Sequence, residues 1–177
     1  MGATDSALVV AGDAVASAEQ LYVEPHPTLA AIYSNYASGL LAAGRLDEAA
    51  DHFRRAIGVV DVVTDPTHPH RAYPRIGLAD VYALQGRFAE AEQPLREAVE
   101  ARRAGLPEGH RYTGEVLSSL GRCLTELGRY DEARLLLNEA IAILTAAEEN
   151  DSSRLRTARD RLDELDSAVA ARSNSTP

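Results

Sequence analysis

The side chains of this 177-residue chain that could do chemistry are five histidines, a recurring set of carboxylates and one cysteine. His26, His68 and His110 recur at one fixed period. Metal ligands must converge on one ion at a little over 2 Å. Side chains that recur at one period belong instead to successive copies of a structural unit, about one unit apart. They read as polar residues that start a helix in each copy, and no metal site is expected. His68 and His70 share one segment, but no third ligand accompanies them.

Asp47, Glu48, Glu90, Asp131 and Glu132 invite a general acid–base reading. They too recur in register, whereas an acid–base pair needs two groups in unlike environments. Solvated helix starts explain them better. Cys123 stands alone, which excludes an intrachain disulfide and a multi-cysteine zinc site. It sits in a helical pattern and reads as a small buried hydrophobe. No glycine-rich phosphate loop and no motif-supported set of Ser, His and Asp is present. The chain is therefore read as having no catalytic residues and no cofactor.

The elements that carry these residues follow from a repeat. Gly44-Arg45-Leu46-Asp47-Glu48-Ala49, Gly86-Arg87-Phe88-Ala89-Glu90-Ala91 and Gly128-Arg129-Tyr130-Asp131-Glu132-Ala133 follow the period of the histidines without an insertion. The same step relates Phe53, Leu95 and Leu137, then Ala56, Ala98 and Ala140, then Ala37, Ala79 and Gly121. Ala49, Phe53, Ala56, Ile57 and Val60 lie on one face of a 3.6-residue helix. Tyr33, Ala37, Leu40 and Leu41 trace a second stripe before the glycine, which suits a left-handed helix end. Acidic residues just after it favour the start of the next helix. Each unit is an antiparallel helical hairpin. Helices are expected near 5–22, 28–43, 46–63, 71–85, 88–104, 111–127, 130–148 and 153–171. Pro94 falls about two turns into one of them and should cost a backbone hydrogen bond and bend it.

Small residue, large apolar residue, Gly, aromatic, Ala, Leu and Ala are read in the second unit as Ala79, Tyr82, Gly86, Phe88, Ala91, Leu95 and Ala98. That pattern resembles the tetratricopeptide repeat. The 42-residue period, with a His-containing segment before each first helix, resembles the kinesin-light-chain type of that family. The likeness covers about residues 26 to 150. It implies an all-α, right-handed superhelical solenoid of antiparallel hairpins. The expected domain spans 5–171, with repeats at about 28–63, 70–104 and 111–148.

Residues 5–22 match the second helix of a hairpin whose first helix is missing, because Ala7, Ala14 and Val15 stand one period before Ala49, Ala56 and Ile57. After the third unit the glycine column gives Ala170, so no fourth full repeat is expected. Ser153 to Ala171 instead alternates charges over Leu155, Ala158, Leu162 and Leu165, as a capping helix would. Residues 172–177 are expected to be a disordered tail.

In the family that the sequence resembles, the first helix of each hairpin lines a concave, partner-binding groove. Carried onto this chain, the groove positions are Ser34, Asn35, Ser38 and Leu41, then Tyr73, Ile76, Asp80 and Ala83, then Ser118, Ser119, Arg122 and Thr125. The resemblance thus implies a protein–protein interaction module whose partner is a protein or peptide. A Lys-based carboxylate clamp is excluded, because all eighteen basic residues are Arg. Arg122, with Arg75 nearby, is the one groove cation. Asn35 matches the Asn that kinesin-light-chain-type repeats place on this face, but Gly77 and Ser119 hold the equivalent positions later.

The net charge of −9, with Arg interspersed among Asp and Glu, argues against nucleic acid. No apolar run reaches the roughly 18 residues of a membrane span, so no membrane contact is expected. The apolar run from Ala7 to Gly12 lacks a basic segment before it and is too short for a signal peptide. A cytoplasmic, bacterial protein is the expectation, the latter from the exclusive use of Arg. The alternative role is a regulatory or oligomerisation segment of a larger signalling protein, such as a kinase or ATPase regulator. Self-association would then run through the unpaired first helix.

Overall fold

The histidine column is the starting point of each hairpin. In the computed structural model, which describes residues 3–147 and 153–174, the Nδ1 atoms of His26, His68 and His110 accept hydrogen bonds from the backbone N–H groups of Thr28, His70 and Tyr112. Each distance is 3.2 Å. Each histidine thus caps a helical start, satisfying one of its orphan donors.

The helices are α1 (Ala3–Leu21), α2 (Pro27–Ala42), α3 (Leu46–Val63), α4 (Ala72–Leu84), α5 (Phe88–Gly105), α6 (Arg111–Glu126), α7 (Tyr130–Ala147) and α8 (Ser153–Asn174). A short 3-10 turn, Pro69–Arg71, leads into α4. The described residues contain no strand. Every expected helix is present, and α5 continues through Pro94 unbroken. α8 runs to Asn174, so residues 172–174, expected in a disordered tail, are helical. There the Arg172 guanidinium lies over the Tyr130 ring, extending the packing of α8 on α7. Residues 175–177 and residue 148, the expected end of the third unit, lie outside the described residues.

The turn between the two helices of a hairpin is the same each time. Gly44, Gly86 and Gly128 have φ of +75°, +71° and +72°. Around Gly44, Arg45 N–H donates to Leu40 O at 2.9 Å and Gly44 N–H to Leu41 O at 3.0 Å. This paired closure, repeated around Gly86 and Gly128, is the glycine-ended helix stop that the sequence predicts. Arg45, Arg87 and Arg129 then pair with Glu48, Glu90 and Glu132, one turn into the next helix.

Small residues set the helix spacing. Ala49, Ala56, Ala91, Ala98, Ala133 and Ala140 are all completely buried. A Cβ on Gly121 would meet Leu137 Cγ at 2.6 Å, so α6 and α7 approach as closely as glycine allows. The three hairpins are α2/α3, α4/α5 and α6/α7, with α1 packed on α2 and α8 on α7 and α6. α8 repeats the register of α6, since Leu155, Ala158, Leu162 and Leu165 each stand one period beyond Thr113, Val116, Leu120 and Cys123. All but the half-buried Leu162 are buried. The array therefore has a half unit at each end: a second-type helix at the start and a first-type helix at the finish. Its first-type helices stack against one another, α2 on α4 and α6 on α8, whereas the backbones of α4 and α6 stand farther apart.

Candidate peptide-binding groove

The first-type helices α2, α4, α6 and α8 carry the candidate groove residues, which divide into two regions. Toward α2 the surface is apolar. A half-open cavity of about 580 Å³ is lined by Ala30, Ala31, Ser34 and Asn35 of α2, Tyr73, Pro74 and Ile76 of α4, and Tyr112 and Glu115 of α6. Val60 and Val63 close it from the end of α3, and Arg102 reaches it from α5. Such a volume and mostly apolar lining suit a bound side chain or small ligand. The Tyr73 hydroxyl lies 3.4 Å from Ser38 Oγ, which itself donates to Ser34 O at 3.0 Å.

Arg102 shows through because the backbones of α4 and α6 stand farther apart than those of the other first-type pairs. Its guanidinium stacks on the Tyr112 ring at 5.1 Å, and Arg111 faces the same ring at 5.1 Å. Its Nε is buried without a hydrogen-bond acceptor, and no ion pair within 4.0 Å joins it to a carboxylate among the described residues. Burial holds its pKa below the ordinary guanidinium range, against the attraction of the Glu115 carboxylate and the Tyr112 hydroxyl. Glu115 is itself paired with Arg154.

Toward α8 the surface is charged. Asp80, Ser119, Arg122 and Arg161 line one small recess. Arg161 Nη1 donates to Ser118 Oγ at 2.8 Å and to Ser119 Oγ at 3.3 Å. Asp80 is open to water, yet it lies on the groove floor with protein mass around it. That partial desolvation pushes its carboxyl above the usual range, while Arg161 and Arg122 pull it down.

The sequence-derived positions meet different fates. Asn35, Ser38, Tyr73, Ile76, Asp80, Ser119 and Arg122 sit on the groove side or its cavity, exposed or half-buried. Ser34 and Ser118 are only 3% and 2% exposed, because the helices pack more tightly there than a solvated face would. Ser118 is also occupied by Arg161. Leu41 is half-buried against the core, and Thr125 Oγ1 donates back to Gly121 O at 3.0 Å. Arg75 is not a groove cation. It is 6% exposed and ion-paired to Asp61 and Glu97 at 2.8 and 2.7 Å.

Arg102 and Arg161 escaped sequence reasoning. Arg161 was within reach, because it stands one period after Ser119 and shares the Asn35 column. The glycine column does not mark that half unit, because Ala170 stands where a glycine would. Nothing in the spacing marks Arg102, a second-helix residue, because the gap between α4 and α6 exposes it. Among the described residues no three His, Cys, Asp or Glu side chains are grouped to hold a metal. Cys123 is buried, donates to Phe88 O at 3.2 Å, and has its thiol pushed up to about 11 by burial.

Two family models described as "Tetratricopeptide repeat" match residues 28–104 and 113–152, so the chain belongs to the tetratricopeptide repeat family of protein–protein interaction modules. No curated protein matches it in sequence. The chain is similar in fold to the nearly identical TPR-like repeats of a putative kinesin light chain from Podosopora anserina. There the TM-score is 0.82 at 21% identity, over 97% of this chain and 81% of that one. It is also similar to BtubC (BKLC) from P. vanneervenii, with a TM-score of 0.75 at 21% identity, over 99% of this chain and 77% of that one. The first TPR domain of Spaghetti (RPAP3), solved bound to the HSP90 peptide SRMEEVD, matches with a TM-score of 0.61 at 20% identity. That match covers 82% of this chain and 96% of the other.

Proposed function

We propose that this protein binds a segment of a partner protein in the concave groove formed by α2, α4, α6 and α8, without catalysing a reaction. The observation that carries this reading is the division of that surface. An apolar cavity of about 580 Å³ lies at one end, and Arg122, which makes no ion pair among the described residues, lies at the other. A segment in the groove would gain apolar burial at the first and charge recognition at the second. Asn35 at the cavity rim offers an amide to the backbone of that segment. The peptide held by the Spaghetti domain is a precedent for the fold. The absence of Lys sets this groove apart from any that relies on Lys. We further propose a bacterial, cytoplasmic protein, the source being read from its Arg-only basic content.

Photo-crosslinking residues placed at Asn35 and Ser119, with Leu135 as a control outside the groove, test the site. Partner adducts from the two groove positions alone support it. Adducts from Leu135 alone sink it.

A second reading, self-association or stacking on a further repeat within a signalling protein, draws on α1. Ala7 and Ala14 of α1 are exposed, whereas their register mates Ala49 and Ala56 are fully buried, and Val9, Val10 and Leu21 are exposed nearby. Size-exclusion chromatography with light scattering decides it: a dimer dissolved by Val10→Asp favours this role, and a monomer removes self-association.

A further inference from the structure

The cation at the base of the cavity has no counter-ion within 4.0 Å among the described residues. Several interhelical Arg residues elsewhere in the array meet carboxylates: Arg55 reaches Glu19, Arg96 reaches Glu132, and Arg103 reaches Glu139. Arg102 lines this mostly apolar cavity, and its guanidinium lies over the Tyr112 ring. Glu115, the carboxylate whose charge is felt at Arg102, is engaged by Arg154 of α8. A half-buried guanidinium whose Nε is buried without an acceptor is costly, and a carboxylate that reaches it gains a charge-assisted hydrogen bond.

We propose that Arg102 selects partner segments bearing a glutamate, whose carboxylate it binds at the base of the cleft between α4 and α6. This deepens the groove reading above and rests on it. The side chain rather than a chain terminus is the fitting source. Arg102 stands on α5, behind the surface formed by α4 and α6, so the anion must reach down while the partner backbone stays in the groove. A glutamate has the required form: its methylenes lie against Tyr73, Ile76 and Tyr112, and its carboxylate ends on the guanidinium. The partner segment therefore presents a glutamate carboxylate, although the chain itself carries a net charge of −9. Recognition is local, and long-range attraction contributes nothing to it.

The test selects a phage-displayed library of random peptides against the full chain, with Tyr73→Ala, Arg102→Met and Arg102→Lys beside it. Arg102→Met keeps an aliphatic stem on Tyr112, and thermal melts establish that each variant folds. The wild type is expected to enrich peptides with Glu at one fixed position. Replacing that Glu by Gln should weaken a synthetic peptide about tenfold, as expected for a half-buried charge pair. Arg102→Met should bind the Glu and Gln peptides alike, and Arg102→Lys should keep part of the preference. Tyr73-dependent binders without a Glu preference, or a preference that survives in Arg102→Met, would overturn this inference while leaving the groove reading intact. Failure to enrich any Tyr73-dependent peptide would overturn both. Competition by free glutarate as strong as by the peptide would overturn the peptide source in favour of a small-molecule site.

Discussion

The ring of Phe53 occupies the space in which a side chain at Gly77 would begin: a Cβ built there meets Phe53 Cζ at 2.2 Å. The groove column of Asn35, Gly77, Ser119 and Arg161 is therefore interrupted in the second unit for a packing reason. The first unit places a phenylalanine where the later ones place Leu95 and Leu137. The larger ring pushes against α4 and leaves room only for glycine. One candidate recognition position is thus given up to the core.

Gly77→Ala is expected to destabilise the protein by up to about 2 kcal/mol. Overpacking costs roughly 1–3 kcal/mol, and the gain in helix propensity returns about 1 kcal/mol. In a Phe53→Leu background the same substitution should cost much less, because Ser119 already coexists with Leu95 one unit later. Urea denaturation of the double-mutant cycle measures the coupling.

Loss of the histidine cap should be felt helix by helix. His110→Ala removes the acceptor for Tyr112 N–H and is expected to cost about 1 kcal/mol. His110→Asn, which supplies a strong capping side chain, should restore most of it. Chemical denaturation of the two variants distinguishes a cap from a ligand or catalytic role, neither of which Asn would rescue.

Arg75 belongs to the core of the array. It bridges Asp61 of α3 and Glu97 of α5 from within α4, and Arg71 O also accepts from it at 3.0 Å. Arg75→Ala should destabilise by about 2 kcal/mol. That figure lies below the range for a fully buried pair because both carboxylates are partly exposed. Partner capture by the folded variant should be unchanged.

Stability should fall in mild acid through His52. This half-buried ring lies against Tyr36 and Tyr33 of α2, at centroid distances of 4.8 and 5.9 Å, and its Nδ1 is buried without a partner. Burial and the Arg55 charge hold its pKa below the ordinary value, against Glu19 of α1 and Asp51 and Glu48 of α3. The unfolded chain thus takes up the proton first. Stability is full above about pH 6.5 and declines as pH falls from there to the depressed native value. His52→Gln should flatten that part of the pH profile in thermal melts.

Much of this was legible in the sequence, because a repeat that must stack fixes the spacing of its small and large residues. The glycine stops, the histidine caps and the alanine columns followed from one period. The candidate site was only half legible. A register rule places Ser34, Ser118 and Arg75 on or near a face, but it cannot tell how deeply neighbouring helices cover them. Nor can it foresee a gap between α4 and α6, which brings Arg102 of a second-type helix into view. Arg161 lay in register all along, on a helix without the glycine that marks the other hairpins.

The central claim is that the concave groove binds a partner segment. Quantitative affinity capture from the native extract, read by mass spectrometry, tests it most directly with four forms of the full chain: wild type, Tyr73→Ala, Arg122→Glu and, outside the groove, Leu135→Ala. The account predicts a protein enriched by the wild type and by Leu135→Ala, and lost from both groove variants although they remain folded. Equal capture by all four would contradict it.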